Sequence, residues 1–177
     1  MTVYETRWDF IRRYVENKRV LDIGPAELVG TVNRNKFDRW IHRKIAEVAE
    51  SLVGLEKSAE QVHALCDLGF HIREGDAEHF DLGEKFDVVV AGALLEHLAN
   101  PGLFLDCARK HLADGGMLLL TTPNRYSILR LFRVIRSGKV PSTKNQLPNM
   151  LFGLNTDALR SFLERHGFSN IQFNYCK

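Results

Sequence analysis

Three carboxylates, Asp22, Glu56 and Asp76, stand at or just beyond the ends of short apolar runs. A carboxylate held at such a tip accepts paired, charge-assisted hydrogen bonds from hydroxyls or amines. It is the wrong group for a phosphate. Gly24-Pro25 follows the first run, and a glycine there lets a ligand approach the backbone closely. His97 lies just past the fourth run, and an imidazole with an ordinary pKa near 6.5 suits general-base work. No G-x-G-x-x-G follows the first run, which argues against a nicotinamide-dependent dehydrogenase. H-E-x-x-H is absent, the other histidines have no ligand-like spacing, and no metal is expected. Cys66, Cys107 and Cys176 are far apart, with no C-x-x-C, so neither a disulfide framework nor a four-cysteine zinc site is expected.

The elements that must position these groups alternate between two periods. Trp8, Ile11, Tyr14 and Val15 recur at helical spacing and predict a helix over 4–17. Arg19 to Gly24 reads as a buried strand, 38–50 as a helix, and Ser51 to Glu56 as a second strand. Ser58 with Gln61 forms a capping-box pattern opening a helix that Gly69 closes. Phe70 to Arg73 and Phe86 to Ala91 are further strands, and Asp87 reads as structural at the start of the latter. Asn100-Pro101 caps a helix through Leu112, Asp114-Gly115-Gly116 turns, and Met117 to Thr122 is the next strand. A last helix runs from Asn155-Thr156-Asp157 to Gly167, and Phe168 to Tyr175 is the final strand. Strands apolar throughout, alternating with helices, predict an α/β, doubly wound parallel sheet covered on both faces. Ligands of such sheets bind beyond the carboxyl ends of the strands.

The 177 residues suit one domain, 1–177, burying roughly 70% of its unfolded surface. With 45% hydrophobic and 26% charged residues and a net charge of +2, composition excludes a disordered chain and gives no argument for nucleic acid. The longest apolar stretch, Val88 to Leu95, is far below the roughly 18 residues needed to span a bilayer, so no stable membrane insertion is expected. The start carries no basic flank followed by an apolar run, and a cytoplasmic protein is expected.

V-L-D-I-G (20–24), L-V-G-L-E (52–56), G-D-A-E (75–78), L-E-H-L-A-N-P (95–101) and L-A-D-G-G-M-L-L-L-T-T-P-N (112–124) occur in that order. Together they resemble the class I S-adenosylmethionine-dependent methyltransferases, especially the small-molecule branch, over about residues 18–175. The resemblance implies a Rossmann-like sheet, here ending before the antiparallel last strand that relatives carry. It implies S-adenosyl-L-methionine as cofactor and S-adenosyl-L-homocysteine as product. It places Asp22 and the backbone around Gly24 and Pro25 at the cofactor's amino-acid end, and Glu56 on the ribose hydroxyls. Asp76 falls on the adenine amino group, the Ala77 amide on a ring nitrogen, and Ala91 also belongs to that site. The residue types suit this cofactor, which carries a cationic sulfonium and no phosphate. By type alone, Glu56 also suits a helix cap and Asp76 a turn.

Two departures from the family pattern stand out. Ala26 and Leu28 replace the usual glycines, and 34 residues separate Asp22 from Glu56, against about 20 in a nucleotide-binding crossover. The extra length falls between Glu27 and Phe37; either this loop covers the cofactor or the first pocket wall has changed. A second addition, a basic lid-like insertion at about 124–150, follows the fifth strand. Arg125, Arg130, Arg133, Arg136, Lys139 and Lys144 interleave there with apolar residues, and no acid occurs from Gly115 to Thr156. This is a solvated lid, an element selecting an acidic or phosphorylated acceptor, or a contact with a lipid surface or nucleic acid. No N-P-P-Y-like motif follows the fourth strand, which argues against a base-amino methylase. His97 is the candidate catalytic base; in relatives the Leu95-Glu96-His97 segment also serves structure. Tyr4, Trp8 and Tyr126 either line an acceptor pocket or simply pack. The expected reaction is methylation of a small-molecule O or N acceptor, the alternative a catalytically silent cofactor-binding or regulatory module. A homodimer is compatible with the sequence, which does not fix the oligomeric state.

Overall fold

The computed structural model describes residues 3–4, 6–26, 40–122 and 156–176. Its elements are β1 (Val3–Tyr4), α1 (Arg7–Val15), β2 (Arg19–Ile23), α2 (Ile41–Ala46), β3 (Ser51–Glu56), α3 (Ala59–Asp67) and β4 (Ile72–Glu74), followed by β5 (Phe86–Gly92), a 3-10 turn (Leu95–His97), α4 (Pro101–His111), β6 (Leu112–Thr121), α5 (Thr156–Arg165) and β7 (Tyr175–Cys176). Five strands form a wholly parallel sheet in the order β4-β3-β2-β5-β6. The first of them, β2, is central, so the winding reverses between β2 and β5. That reversal is where a doubly wound sheet opens a crevice.

Alternation along the strands assigns the two faces. Leu21, Ile23, Val53, Leu55, Val89 and Ala91 pack with Phe104, Leu105 and Ala108 of α4 and Leu159 and Leu163 of α5. Val20, Val88, Val90 and Leu119 pack with Ile11 and Val15 of α1 and Ile45 of α2. A third cluster joins Trp40, Leu65 of α3 and Ile72 of β4. Burying a Leu, Ile, Val or Phe side chain contributes about 1.5–3 kcal/mol, and these three layers hold the helices on the sheet. No described helix is long and apolar enough to cross a membrane.

Several boundaries differ from the sequence reading. The predicted 38–50 helix is confined to Ile41–Ala46, because the chain must turn at once to feed β3; Val48 and Ala49 both donate to the Ile45 carbonyl, and Glu50 donates to that of Lys18. Ser58 caps α3 by accepting from Gln61 N–H, but its own N–H donates to Glu56 rather than to a capping-box partner. The reciprocal box forms instead at α1, between Thr6 and Asp9. The turn expected at Asp114-Gly115-Gly116 falls inside β6: Phe86 pairs with Leu112 but Val88 with Met117, and Gly115, at φ +73°, lies in the extra residues between.

The expected last strand over Phe168 to Tyr175 is replaced by the two residues of β7, which pair in parallel with β1 as a separate ribbon. Phe168, Ile171 and Phe173 instead pack onto the larger core. Arg160 donates to the Ile171 carbonyl and lies 5.1 Å from the Phe173 ring centre, which takes this stretch out of any ladder. The 124–150 insertion, the Glu27–Phe37 loop, Tyr126 and the side chain of Tyr4 lie outside the described residues.

Candidate functional site

Strand parity puts Asp22 on the same face as Val20 and Val90, an apolar face covered by α1 and α2. A carboxylate buried there must find a partner, since an uncompensated charge is expensive. The partner comes from α2: His42 Nδ1 lies 2.8 Å from Asp22 Oδ2, with the two residues 1% and 5% exposed. A carboxylate only accepts, so Nδ1 carries the proton. The other ring nitrogen, Nε2, is buried and has no hydrogen-bond partner. Room for the ring is made by Gly54, which is level with Asp22 on β3. A β-carbon there would stand 3.1 Å from His42 Cε1 and would collide with Ile72 Cδ1.

Gly24 follows β2 at φ +74° and donates its N–H to the Leu55 carbonyl, 2.9 Å away. Such a φ favours glycine. The next carbonyl, of Pro25, accepts from the indole N–H of buried Trp40. The turn after β2 is therefore held by an indole from the far side of the Glu27–Phe37 loop. Asp22, Gly24, Pro25, Trp40 and His42 line a small solvent-open cleft together with Arg7, Val90 and Gly92. The guanidinium nitrogens of Arg7 lie 3.7 Å from where a β-carbon would stand on Gly92, so a cation from α1 faces the end of β5. The cleft sits at the winding reversal between β2 and β5.

At the neighbouring tips, Glu56 Oε1 accepts from the N–H groups of Lys57 and Ser58, at 2.9 and 3.1 Å. Asp76 Oδ1 accepts from Glu78 N–H, and its Oδ2 lies 2.8 Å from Lys57 Nζ. The Lys57 hydrogen bond, followed by that from Glu78 N–H, holds the Asp76 carboxyl below its ordinary pKa. Ala77 is buried, and Glu78 accepts from Asn100 N–H, tying this loop to the cap of α4.

The structure thus gathers Asp22, Gly24 and Pro25 in one cleft and sets Glu56 and Asp76 at the two adjacent tips, connected through Lys57. The latter pair does not line that cleft. Ala91 is buried within the sheet opposite Ile23, and His97 is exposed at the end of the 3-10 turn, outside the cleft lining. Its neighbour Glu96 is buried, with neither carboxylate oxygen hydrogen-bonded. Asp87 has the structural role expected of it: it grips the backbone N–H and guanidinium of Arg19. Among the described residues, no group of three acidic, histidine or cysteine side chains gathers to hold a metal.

Sequence reasoning missed Arg7, Trp40 and His42. A signal for His42 was present: alternation puts Asp22 on the helix-covered face, and His42 is a polar residue in the helix that covers it.

The family described as a methyltransferase domain matches residues 9–173. The ubiquinone biosynthesis O-methyltransferase of Azorhizobium caulinodans is 44% identical over 121 residues, which cover 64% of this chain and 43% of that protein. The chain spans less than half the length of the curated relatives it matches. A SAM-dependent methyltransferase of Thermotoga maritima shares the fold with a TM-score of 0.63 at 19% identity, over 93% of this chain and 75% of that one. An amino pentose methyltransferase from Micromonospora echinaspora, solved with SAM bound, has a TM-score of 0.52 at 25% identity, over 66% of this chain and 48% of that one.

Proposed function

The chain belongs to the class I S-adenosylmethionine-dependent methyltransferase family, and from that premise we propose that it transfers a methyl group from S-adenosylmethionine to an oxygen or nitrogen of a small molecule. The observation that carries the reading is the cleft at the winding reversal, with a buried carboxylate, an unpartnered imidazole nitrogen and a cation on its walls. An α-amino acid end is a zwitterion, and these groups match both its charges. Arg7 would take the carboxylate, while Asp22 and the backbone at Gly24 and Pro25 face the ammonium.

Glu56 would accept from the ribose hydroxyls through Oε2, since Oε1 already holds two backbone N–H groups. Asp76 and the Ala77 amide would meet the adenine edge, and Ala91 would back the β5 side of the cleft beside Gly92. The cofactor supplies a methyl carbon already activated by its sulfonium. The protein aligns the acceptor with that carbon and excludes water, and such alignment is worth roughly 7–11 kcal/mol. His97, exposed past the end of β5, would take a proton from a hydroxyl acceptor. The relatives named for O-methylation in ubiquinone biosynthesis favour an oxygen acceptor over a nitrogen. Choice of an acidic acceptor would rest with the basic 124–150 segment. A protein of this composition would work in the cytoplasm, as one chain or as a homodimer.

The second reading, a module that binds without turnover, is favoured by one observation: Lys57 already occupies an oxygen of Asp76. Thermal unfolding with adenosylmethionine, adenosylhomocysteine and NAD in parallel tests both. A ligand at 100 times its Kd adds about 2.7 kcal/mol, roughly 5–11 °C for a domain of this size. We expect shifts with the first two ligands, and their loss in Glu56→Ala. Shifts with both but no methyl transfer to any phenol or amine would support the silent module; a shift with NAD alone would reject both readings.

A further inference from the structure

We propose that His42 is a positioning residue that reads the α-ammonium of the bound nucleoside, its Nε2 accepting one of the ammonium N–H groups. The inference rests on the methyltransferase reading above and adds to it a residue outside the motifs that suggested that reading. Four observations carry it. His42 is 1% exposed and Nε2 has no partner, an arrangement that leaves the desolvation of one polar atom uncompensated. Its Nδ1 is 2.8 Å from the Asp22 carboxylate and donates to it, so in the tautomer with the proton on Nδ1 the other nitrogen, Nε2, is left as an acceptor. The ring lines the cleft beside Asp22 and Gly24. Its orientation is fixed on several sides: Trp40 and Phe70 stack or edge against it at 5.2 and 5.4 Å between centres, and Gly54 leaves room for Cε1.

A buried, unpartnered acceptor on a residue that lines the cleft calls for a donor that reaches it once a ligand seats there. Of the cofactor's two zwitterionic groups only the ammonium donates. The carboxylate is left to Arg7, across the cleft near Gly92. Asp22 then has two tasks: it supplies negative charge near the ammonium, and it fixes the tautomer that makes His42 an acceptor.

The test compares adenosylhomocysteine with two analogues, one whose α-amino group is replaced by hydrogen and one lacking the carboxylate, by isothermal titration. In the unaltered protein the amino-free analogue should bind at least tenfold more weakly. In His42→Phe that ratio should shrink by about tenfold, the scale of one hydrogen bond to a charged group, while the penalty for removing the carboxylate stays the same. His42→Gln, which offers an amide oxygen near the Nε2 position, should restore part of the amino-group ratio. An amino-group ratio unchanged within twofold in His42→Phe, or a change in the carboxylate ratio instead, overturns the proposal and leaves the methyltransferase reading standing. If the unaltered protein binds none of the three compounds, that reading fails as well. Should His42→Phe not fold, long-range 1H–15N spectra of the unaltered protein decide the matter. The His42 Nε2 resonance should move with adenosylhomocysteine and stay in place with the amino-free analogue; equal movement with both refutes the assignment.

Discussion

Asp22 and Asp87 lie on neighbouring strands and each accepts a hydrogen bond from a nitrogen-bearing side chain, yet they do different work. Asp22 is buried against His42 at the cleft, whereas Asp87 is part-exposed at the opposite end of the sheet, bound to the Arg19 backbone and guanidinium. Those Arg19 hydrogen bonds hold the Asp87 carboxyl at about 2, below its ordinary 3.8. A carboxyl depressed on folding stabilises the protein above its unfolded pKa and stops doing so as pH falls through the folded value. The pair should therefore support the fold fully above about pH 4 and lose its contribution between about pH 4 and 2. Urea unfolding of the unaltered protein and of Asp87→Asn should differ at pH 7 and converge toward pH 2. A gap that persists at pH 2 would show that Asp87 acts through packing. The pair is exposed enough for salt to narrow that gap.

At the scale of elements, what the residues disclosed depended on how local the determinants are. β3 runs over Ser51–Glu56 as expected, and α4 starts at Pro101 behind the Asn100 cap, because an apolar run or a side-chain cap is written within a few residues. Gly69 and Gly167, at φ +88° and +81°, close α3 and α5 in Schellman geometry, with Phe70 and Phe168 donating back to Leu65 and Leu163. The last strand failed as an expectation because its fate is tertiary: Arg160 and the core capture Ile171 and Phe173. The site divides in the same way. That Asp22, Gly24, Glu56 and Asp76 stand at strand tips was legible, since tips are written locally, while Trp40 and His42 reach the β2 end from beyond the Glu27–Phe37 loop, whose length hides them from any local motif.

Gly54 shows how one element shapes another. Gly54→Ala would drive a methyl group against Ile72 Cδ1 and toward Pro25 Cγ and the His42 ring. Overpacking of this kind costs about 1–3 kcal/mol. Denaturant midpoints should fall accordingly, and binding of adenosylhomocysteine should weaken with them, because the ring that moves lines the cleft. Unchanged stability and binding would mean that the layer between β3 and α2 yields freely to an added methyl group.

For the whole molecule, the reversal of winding between β2 and β5 among the described strands is what opens a crevice at the carboxyl edge of the sheet. β2 is central, its neighbours β3 and β5 are reached by crossovers running in opposite directions, and their carboxyl ends part to leave the crevice that Arg7, Asp22, Gly24 and His42 enclose. Edges were less legible than the centre. The sheet keeps β4 and β6 at its margins, and the β1–β7 ribbon joins the two ends of the described chain in a pairing with no signature in either short segment.

The most direct measurement is a crystal structure of the protein grown with adenosylhomocysteine. The amino-acid end should lie in the cleft between Arg7 and the Asp22–His42 pair, the ribose at Glu56 and the adenine beside Asp76 and Ala77. Ligand density on another face of the sheet, or a cleft that stays empty while calorimetry in the same buffer detects binding, would contradict this placement.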